Sequence, residues 1–355
     1  MTSNARPGEV VEEACTLCGA APLTVVGVVP GYLAGRSYTV LECDGCGSQA
    51  VPADTVVPDG LYDAIYRNAE RLPGYARYGR YADAVASVRD PLYYLSHSED
   101  VYWAVATVLA ERRRAGLGTT VVDVGSGLGY LTAALRGAGY EAWGLDLSEE
   151  AVARANRRFG DWYRQGDAMD VADATNIRPD VIVALELIEH VHEPVGLLAA
   201  MASQVADGGE VIVSTPNRTR LPSDRLYETD APPVHLRWIT EPGLRELGRR
   251  ASCSVDLVDF TAFNRMMARP SGVPVGRPAT RDVAPLDEEL HLTGAPVPTT
   301  AIGRRDRLVR SRRAAPLVAA VRVARRLRHR GDADGRDAES AARSASAVAR
   351  FAPLP

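Results

Sequence analysis

Lysine is missing from all 355 residues, so every basic side chain other than histidine is arginine. No side-chain ammonium is available, which excludes lysine Schiff-base chemistry. Histidine is sparse at 6 residues and cysteine at 5, so any cluster of either carries weight. No apolar run approaches the roughly 20 residues that a bilayer helix needs. The start, Met1 to Val11, is polar and acidic and lacks the basic opening and apolar core of a secretory leader. A cytoplasmic location is the expectation. A net charge of -4 and a hydrophobic fraction of 46% are those of an ordinary globular chain and argue against a broadly cationic nucleic-acid binder. The length allows one large core with accessory modules.

What is present begins with Val121-Val122-Asp123-Val124-Gly125-Ser126-Gly127-Leu128-Gly129-Tyr130. An apolar strand ending in a glycine-rich turn and then a helix builds a ligand crevice at the strand's carboxyl end. A dinucleotide fingerprint would want glycine where Tyr130 stands, and would not need Asp123. A second apolar strand, Tyr140 to Leu145, ends in Asp146, whose carboxylate can accept from both hydroxyls of a ribose. Trp162 to Ala168 reads as a third strand tip, with Asp167 able to accept an adenine amine and Ala168 offering an amide. Three tips converge on one adenosine.

With Asp180 to Pro194 and Gly208 to Asn217, these pieces resemble the class I S-adenosylmethionine-dependent methyltransferases over roughly residues 116 to 262. The resemblance implies a doubly wound, mostly parallel Rossmann-like α/β sheet. It also implies that Asp123, Gly125, Ser126, Gly127 and Gly129 hold the methionyl part of the donor. Asp146 and Leu147 then meet the ribose, Asp167 and Ala168 the adenine, and Glu186 the methionyl ammonium. A nicotinamide enzyme and a noncatalytic nucleotide-binding scaffold are the competing readings.

Four of the five cysteines form matched knuckles, Cys15-Thr16-Leu17-Cys18-Gly19 and Cys43-Asp44-Gly45-Cys46-Gly47. Two such turns aim four thiolates at one tetrahedral zinc ion, with short strands expected at 23–29 and 38–42. With all four positions taken by sulfur, the ion is structural. Cys253 reads as packing. A ribbon ahead of such a domain resembles methyltransferases of sugar, glycan and antibiotic biosynthesis, and also ribosomal RNA methyltransferases. Residues 1–60 carry only Arg6 and Arg36 against seven acidic residues, which disfavours the RNA reading.

The expected organisation is a zinc ribbon at 1–60, a helical lid at 61–115 and the methyltransferase domain at 116–268. A Pro/Gly-rich loop at 269–300, a basic amphipathic helix at 301–330 and a disordered tail at 331–355 follow. The lid holds eight of the chain's 14 tyrosines, and Pro73-Gly74 suggests a flap at Tyr75 to Tyr78. Residues 302–330 carry eleven arginines and one aspartate, a pattern that can lie on an anionic membrane, bind a nucleic acid, as an RNA methyltransferase would need, or pack on its own domain. A helix is expected at Glu241 to Arg250 and a strand at Ser252 to Phe260. The last strand of the sheet has no clear signal, and Thr261 to Met267 is the segment assigned to it.

For chemistry, two histidines compete. His190 follows the fourth strand, where acceptors bind in this family, with Glu189 beside it to orient the ring. His235 lies in Ala231-Pro232-Pro233-Val234-His235-Leu236, which resembles the Pro-Pro-His-His-Leu stretch of the same enzymes with Val234 replacing one histidine. Either imidazole can take the proton of a hydroxyl acceptor. His192 reads as surface. The expected activity is methyl transfer to a hydroxyl of a sugar, glycan intermediate or natural product.

Overall fold

Short strands flanking the two cysteine knuckles build a small antiparallel sheet. In the computed structural model, which describes residues 6–20, 22–72, 75–221, 230–267, 285–293 and 342–354, β1 (Val10–Val11), β2 (Leu23–Pro30), β3 (Ser37–Cys43) and β4 (Gln49–Ala50) pair in that order. The strands expected at 23–29 and 38–42 are present to within one residue. A fifth strand, Arg237–Trp238, arrives from far along the chain and pairs with β4, Arg237 opposite Ala50 and Trp238 opposite Gln49. The ribbon is therefore not free-standing. Its Leu17, Leu23, Val25 and Leu41 share one buried cluster with Val122, Ile182 and Leu244 of the main body.

Four helices cover the next stretch: α1 (Leu61–Arg67), α2 (Ala76–Val85), α3 (Pro91–Ser96) and α4 (Asp100–Arg114). In α4, Val101, Val105, Val108 and Leu109 recur at helical spacing and are buried. Then strands and helices alternate: β5 (Val121–Val124), α5 (Tyr130–Gly137), β6 (Ala142–Asp146), α6 (Glu149–Phe159), β7 (Tyr163–Gln165), α7 (Val171–Thr175), β8 (Val181–Leu185), α8 (Pro194–Gln204) and β9 (Glu210–Pro216). Every residue of β5 is buried, as expected of a parallel strand covered by helices on both faces. Ser148 caps α6 by accepting from the Ala151 amide at 3.1 Å. The Arg237–Trp238 strand is β10, followed by α9 (Glu241–Arg250), β11 (Cys253–Leu257), α10 (Thr261–Met267) and β12 (Ser346–Pro353).

The main sheet has seven strands in the order β11-β12-β9-β8-β5-β6-β7. β5 to β9 run parallel and β12 is antiparallel to both neighbours. The chain leaves β5 in one direction to β6 and later leaves β8 in the other to β9, so the switch point of this Rossmann-like α/β sheet lies between β5 and β8.

Two expectations fail here. Thr261 to Met267 is a helix, because Phe260 and Phe263 are buried at helical spacing and the Asn264 amide donates to the Phe260 carbonyl at 2.8 Å. The missing strand comes from the end of the chain: Ser346–Pro353, assigned to the disordered tail 331–355, fills the gap between β9 and β11. The sheet is thus completed by a segment outside 116–268. Arg350 Nε donates to Glu210 at 2.6 Å, and Arg112 Nη1 reaches the same carboxylate at 2.8 Å, holding it below its usual range despite burial. At the other end of β12, buried Asp100 accepts from Ser344 Oγ and from the Ser346 amide. The basic stretch 301–330 and most of the loop 269–300 lie outside the described residues. Among the described residues, no helix is long and apolar enough to cross a membrane.

Phe351 has 0% exposure and packs with Val122, Val213 and Leu247 in one cluster. Phe351→Ala is expected to destabilise the protein by about 3–5 kcal/mol. Urea unfolding reads this directly; a loss below about 1 kcal/mol would mean that β12 is not an integral strand.

Candidate active site

The carboxyl ends of β5, β6 and β8 open into a cavity of about 560 Å³, within the range of small-molecule sites. The glycine turn after β5 forms its floor. The Gly125 and Ser126 amides donate to the Leu145 carbonyl, at 2.8 and 3.1 Å, which folds the turn back onto β6. The Gly127 amide donates to Asp146 Oδ2 at 2.7 Å, and the Ser148 amide to Oδ1 at 2.9 Å. Asp146 therefore joins the two loops, and each of its oxygens keeps further accepting capacity toward the cavity. Burial raises its carboxyl above the usual range, opposed by those two amides. Asp123 is buried, accepts from Thr132 Oγ1 at 2.7 Å and is pushed up to about 7 by burial.

Of the sequence-predicted donor residues, Asp123, Gly125, Ser126, Gly127, Asp146, Leu147, Asp167, Ala168 and Glu186 all line this cavity. Gly129 does not. A Cβ on Gly129 would stand 2.6 Å from the Tyr163 ring and 2.7 Å from Ala155. Its missing side chain lets α5 pack against β7 and α6 rather than making room for a ligand. Gly127 faces the cavity at φ +50°, with the Tyr66 ring 3.2 Å from where its Cβ would be. Asp167 is exposed and its Oδ1 accepts from the Met169 amide at 2.9 Å.

The far side of the cavity is built around Glu186, Glu189, His190 and His235. Glu186 holds φ +51°, an unusual conformation for a side-chain-bearing residue. Ser214 fixes it there, accepting from the Glu186 amide at 3.0 Å and donating to its carboxylate at 2.8 Å. Burial raises the Glu186 carboxyl to about 8. The turn Ile188–His190 then aims His190 into the cavity. His190 Nδ1 lies 2.6 Å from the Val234 carbonyl, which can only accept, so Nδ1 carries the proton and Nε2 keeps its lone pair. Burial lowers this imidazole to about 4. The His235 ring centre lies 4.5 Å from that of His190, and burial lowers it well below the ordinary range too. Glu189 is fully buried, 3.9 Å from His190 Nε2, and does not line the cavity itself. His192 is exposed, as expected, and does not line the cavity.

Five lid tyrosines, Tyr62, Tyr66, Tyr75, Tyr78 and Tyr102, line the cavity, joined by Tyr130. Tyr75 and Tyr78, expected in a flap, pack edge-on at 5.7 Å, and Tyr78 stacks on Tyr130 at 6.2 Å. Tyr81 and Tyr94 pack in the core instead. Lid and floor are tied by Ser148 Oγ donating to Asp63 and by Arg154 donating to the Tyr66 carbonyl at 2.7 Å. Sequence reasoning missed Arg77, Glu99 and Asp230, which line the cavity, and Arg77 pairs with Glu99 at 3.3 Å. The tyrosine spacings 62/66 and 75/78 were the available signal for one helical face turned to a ligand.

In the ribbon, Cys15, Cys18, Cys43 and Cys46 bring their sulfurs within 4.8 Å of one another. Cys15–Cys46 and Cys18–Cys43 stand 3.8 and 3.4 Å apart, far beyond the ~2.05 Å of a disulfide. Sulfurs bound at ~2.3 Å around a tetrahedral ion would be about 3.8 Å apart.

Residues 95–257 match the family model described as "Methyltransferase domain". The chain is similar to the ubiquinone biosynthesis O-methyltransferase of Methylococcus capsulatus (strain Bath), 39% identical over 107 residues that make up 29% of this chain and 45% of that protein. The enzyme of the same name from Pseudomonas paraeruginosa is 40% identical over 111 residues, 30% of this chain and 48% of its own length. The chain thus spans somewhat under half the length of the curated relatives it matches. Among solved structures it resembles the magnesium protoporphyrin IX methyltransferase of Synechocystis PCC 6803 bound to SAH, at 19% identity over 55% of this chain and 90% of that one, with a TM-score of 0.37. With the strand order above, the matched segment is a class I S-adenosylmethionine-dependent methyltransferase domain.

The His190 geometry makes a direct prediction. Nitrogen-15 NMR of the histidine rings should show His190 as the neutral Nδ1–H form at pH 6. An Nε2–H form contradicts the contact with Val234, and an imidazolium at that pH contradicts the lowering of this ring by burial.

Proposed function

We propose that this chain transfers a methyl group from S-adenosylmethionine to a hydroxyl of a small acceptor, of the sugar, glycan-intermediate or natural-product class, in the cytoplasm. The observation that carries this reading is that one cavity gathers the strand tips of β5, β6 and β8 together with two neutral imidazoles. The residues fit the donor. Gly125 and Gly127 leave backbone exposed beside the cavity, and Ser126 Oγ is buried without a hydrogen-bond partner among the described residues. In this reading Asp146 takes the ribose hydroxyls with Leu147 beside them, and Asp167 with Ala168 takes the adenine edge, supported by their lining the same cavity. Glu186 and Asp123 are the carboxylates available to the methionyl end.

Bound S-adenosylmethionine supplies an activated, electrophilic methyl carbon. The chain's own residues must orient the acceptor and take its proton. In this reading His190 Nε2 and His235 are the bases, and Glu189, 3.9 Å from Nε2 and raised well above the usual carboxyl range by burial, orients the ring. The tyrosine faces and hydroxyls suit an acceptor with both apolar and polar surface. The name O-methyltransferase carried by the similar curated proteins supports oxygen as the acceptor atom.

We infer further that Cys15, Cys18, Cys43 and Cys46 hold a structural zinc ion, supported by the sulfur spacing. Metal analysis should find zinc at this site, and Cys15→Ser with Cys43→Ser should lose it and destabilise the ribbon. A fully folded protein indifferent to chelators would contradict the inference.

Calorimetric titration with S-adenosylmethionine and, separately, NADH tests the main reading. Micromolar binding of the first alone is expected, weakened by about tenfold or more in Asp146→Ala. Binding of NADH, or of neither ligand, would sink it. Once an acceptor is found, His190→Ala and His235→Ala should each lower kcat by about 10²–10⁴-fold; full activity in both would return the site to a cofactor-holding scaffold.

A further inference from the structure

Arg237 is a buried cation between the ribbon and the turn that carries His190. It is 4% exposed and makes no ion pair with a carboxylate among the described residues. Its Nη1 donates to the Ile188 carbonyl at 3.5 Å and its Nη2 to the His192 carbonyl at 3.1 Å, on the two sides of that turn. Its Nε is buried without a hydrogen-bond partner among the described residues. A buried guanidinium is costly unless an anion answers it. Glu189 does not, because burial pushes its carboxyl well above the usual range and keeps it neutral. Glu193 is exposed, where solvent screens it. What remains is the cysteine cluster. Cys15 and Cys43 border the same small cavity as Arg237, about 60 Å³ in volume. Burial lowers Arg237 to about 10, and Cys15 is foremost among the groups that oppose the lowering.

The role assigned to Arg237 rests on the zinc reading of the four cysteines. Four thiolates on one divalent ion leave about two negative charges, and Cys15, Cys43 and Cys46 are buried. With no lysine in the chain, arginine has to balance them. Arg250 approaches from outside, its Nη1 donating to the Thr16 carbonyl within the first knuckle at 2.8 Å. We propose that Arg237 is the inner counter-cation of the cysteine zinc centre and, through the Ile188 and His192 carbonyls, the positioning residue by which that centre holds the His190 turn. It does not line the donor and acceptor cavity itself. Its main chain pairs with Ala50 of β4, so backbone and side chain both serve the ribbon. Charge and fork are separable: lysine keeps the first, but a single ammonium lacks the planar fork that reaches both carbonyls.

Competition between the full-length protein and a zinc chelator reads the affinity of the centre. Arg237→Gln should release zinc at an about tenfold lower chelator concentration, while Arg237→Lys should stay close to the wild type. Hydrogen exchange on the same samples reads the turn. The amides of His190 and Leu236, which donate to the Leu187 and Glu189 carbonyls, should exchange faster in both variants, with β5 and β8 as protected as in the wild type. Equal zinc retention in wild type and Arg237→Gln, or equal losses in the two variants, overturns the counter-charge. Unchanged exchange at His190 and Leu236 overturns the link to the turn. A wild type that takes up no zinc sinks the zinc reading and the role of Arg237 with it, whereas tight zinc in every variant sinks the role of Arg237 alone. If Arg237→Gln does not fold, stripping zinc from the wild type decides: faster exchange at those two amides is expected, and unchanged exchange overturns the proposal.

Discussion

The Leu236 amide donates to the Glu189 carbonyl at 2.9 Å, and the Leu236 carbonyl accepts from the Val51 amide at 2.9 Å. That one residue joins the ribbon to the turn that carries His190. Around it the same stitching repeats. Val234 accepts from His190 Nδ1, Arg237 and Trp238 pair with β4, and Thr240 Oγ1 donates to the Cys46 carbonyl at 2.6 Å. Pro232 accepts from the Tyr32 amide at 2.6 Å. Each bond contributes only about 1 kcal/mol net, but together they leave segment 231–240 no other course. His235 is consequently positioned from two sides, by a module at the amino end and by the sheet's switch point.

This arrangement gives the four cysteines a role beyond local stability. Their knuckles present Cys46, Ser48 and Gln49 to residues 238–240, so ordering the ribbon orders the wall that carries His235. A similar logic governs the opposite edge of the sheet. Glu210 is shared by Arg112 of α4 and Arg350 of β12, which fastens helix, sheet and chain end at one carboxylate. Cutting that tie would expose the apolar face of β9, which is buried over six of its seven residues.

Much of this was legible in the sequence for identifiable reasons. The buried strands of the sheet are short apolar runs ending at acidic or glycine residues, and Ser148 announces its helix by chemistry alone. The knuckle spacing marked the ribbon strands to within a residue. What escaped was nonlocal. Ser346–Pro353 is rich in alanine, follows a long charged stretch and pairs with β11 across almost ninety intervening positions, so neither periodicity nor turn chemistry flags it. Thr261–Met267 shows its helical character only through Phe263 and the preceding Phe260, which are buried at helical spacing. Within the site, the strand-tip residues lie in one cavity, yet Gly129 serves packing, a distinction that rests on where the Tyr163 ring falls. The pairing of β10 with β4 could not be read from either segment alone.

Hydrogen exchange on the wild type and on the Cys15→Ser, Cys43→Ser double variant tests the coupling most directly. If the ribbon holds the His235 wall, amides in 234–240 should exchange much faster in the variant while β5, β8 and β9 keep their protection. Unchanged protection across 234–240 in a variant whose ribbon amides have opened would contradict the account.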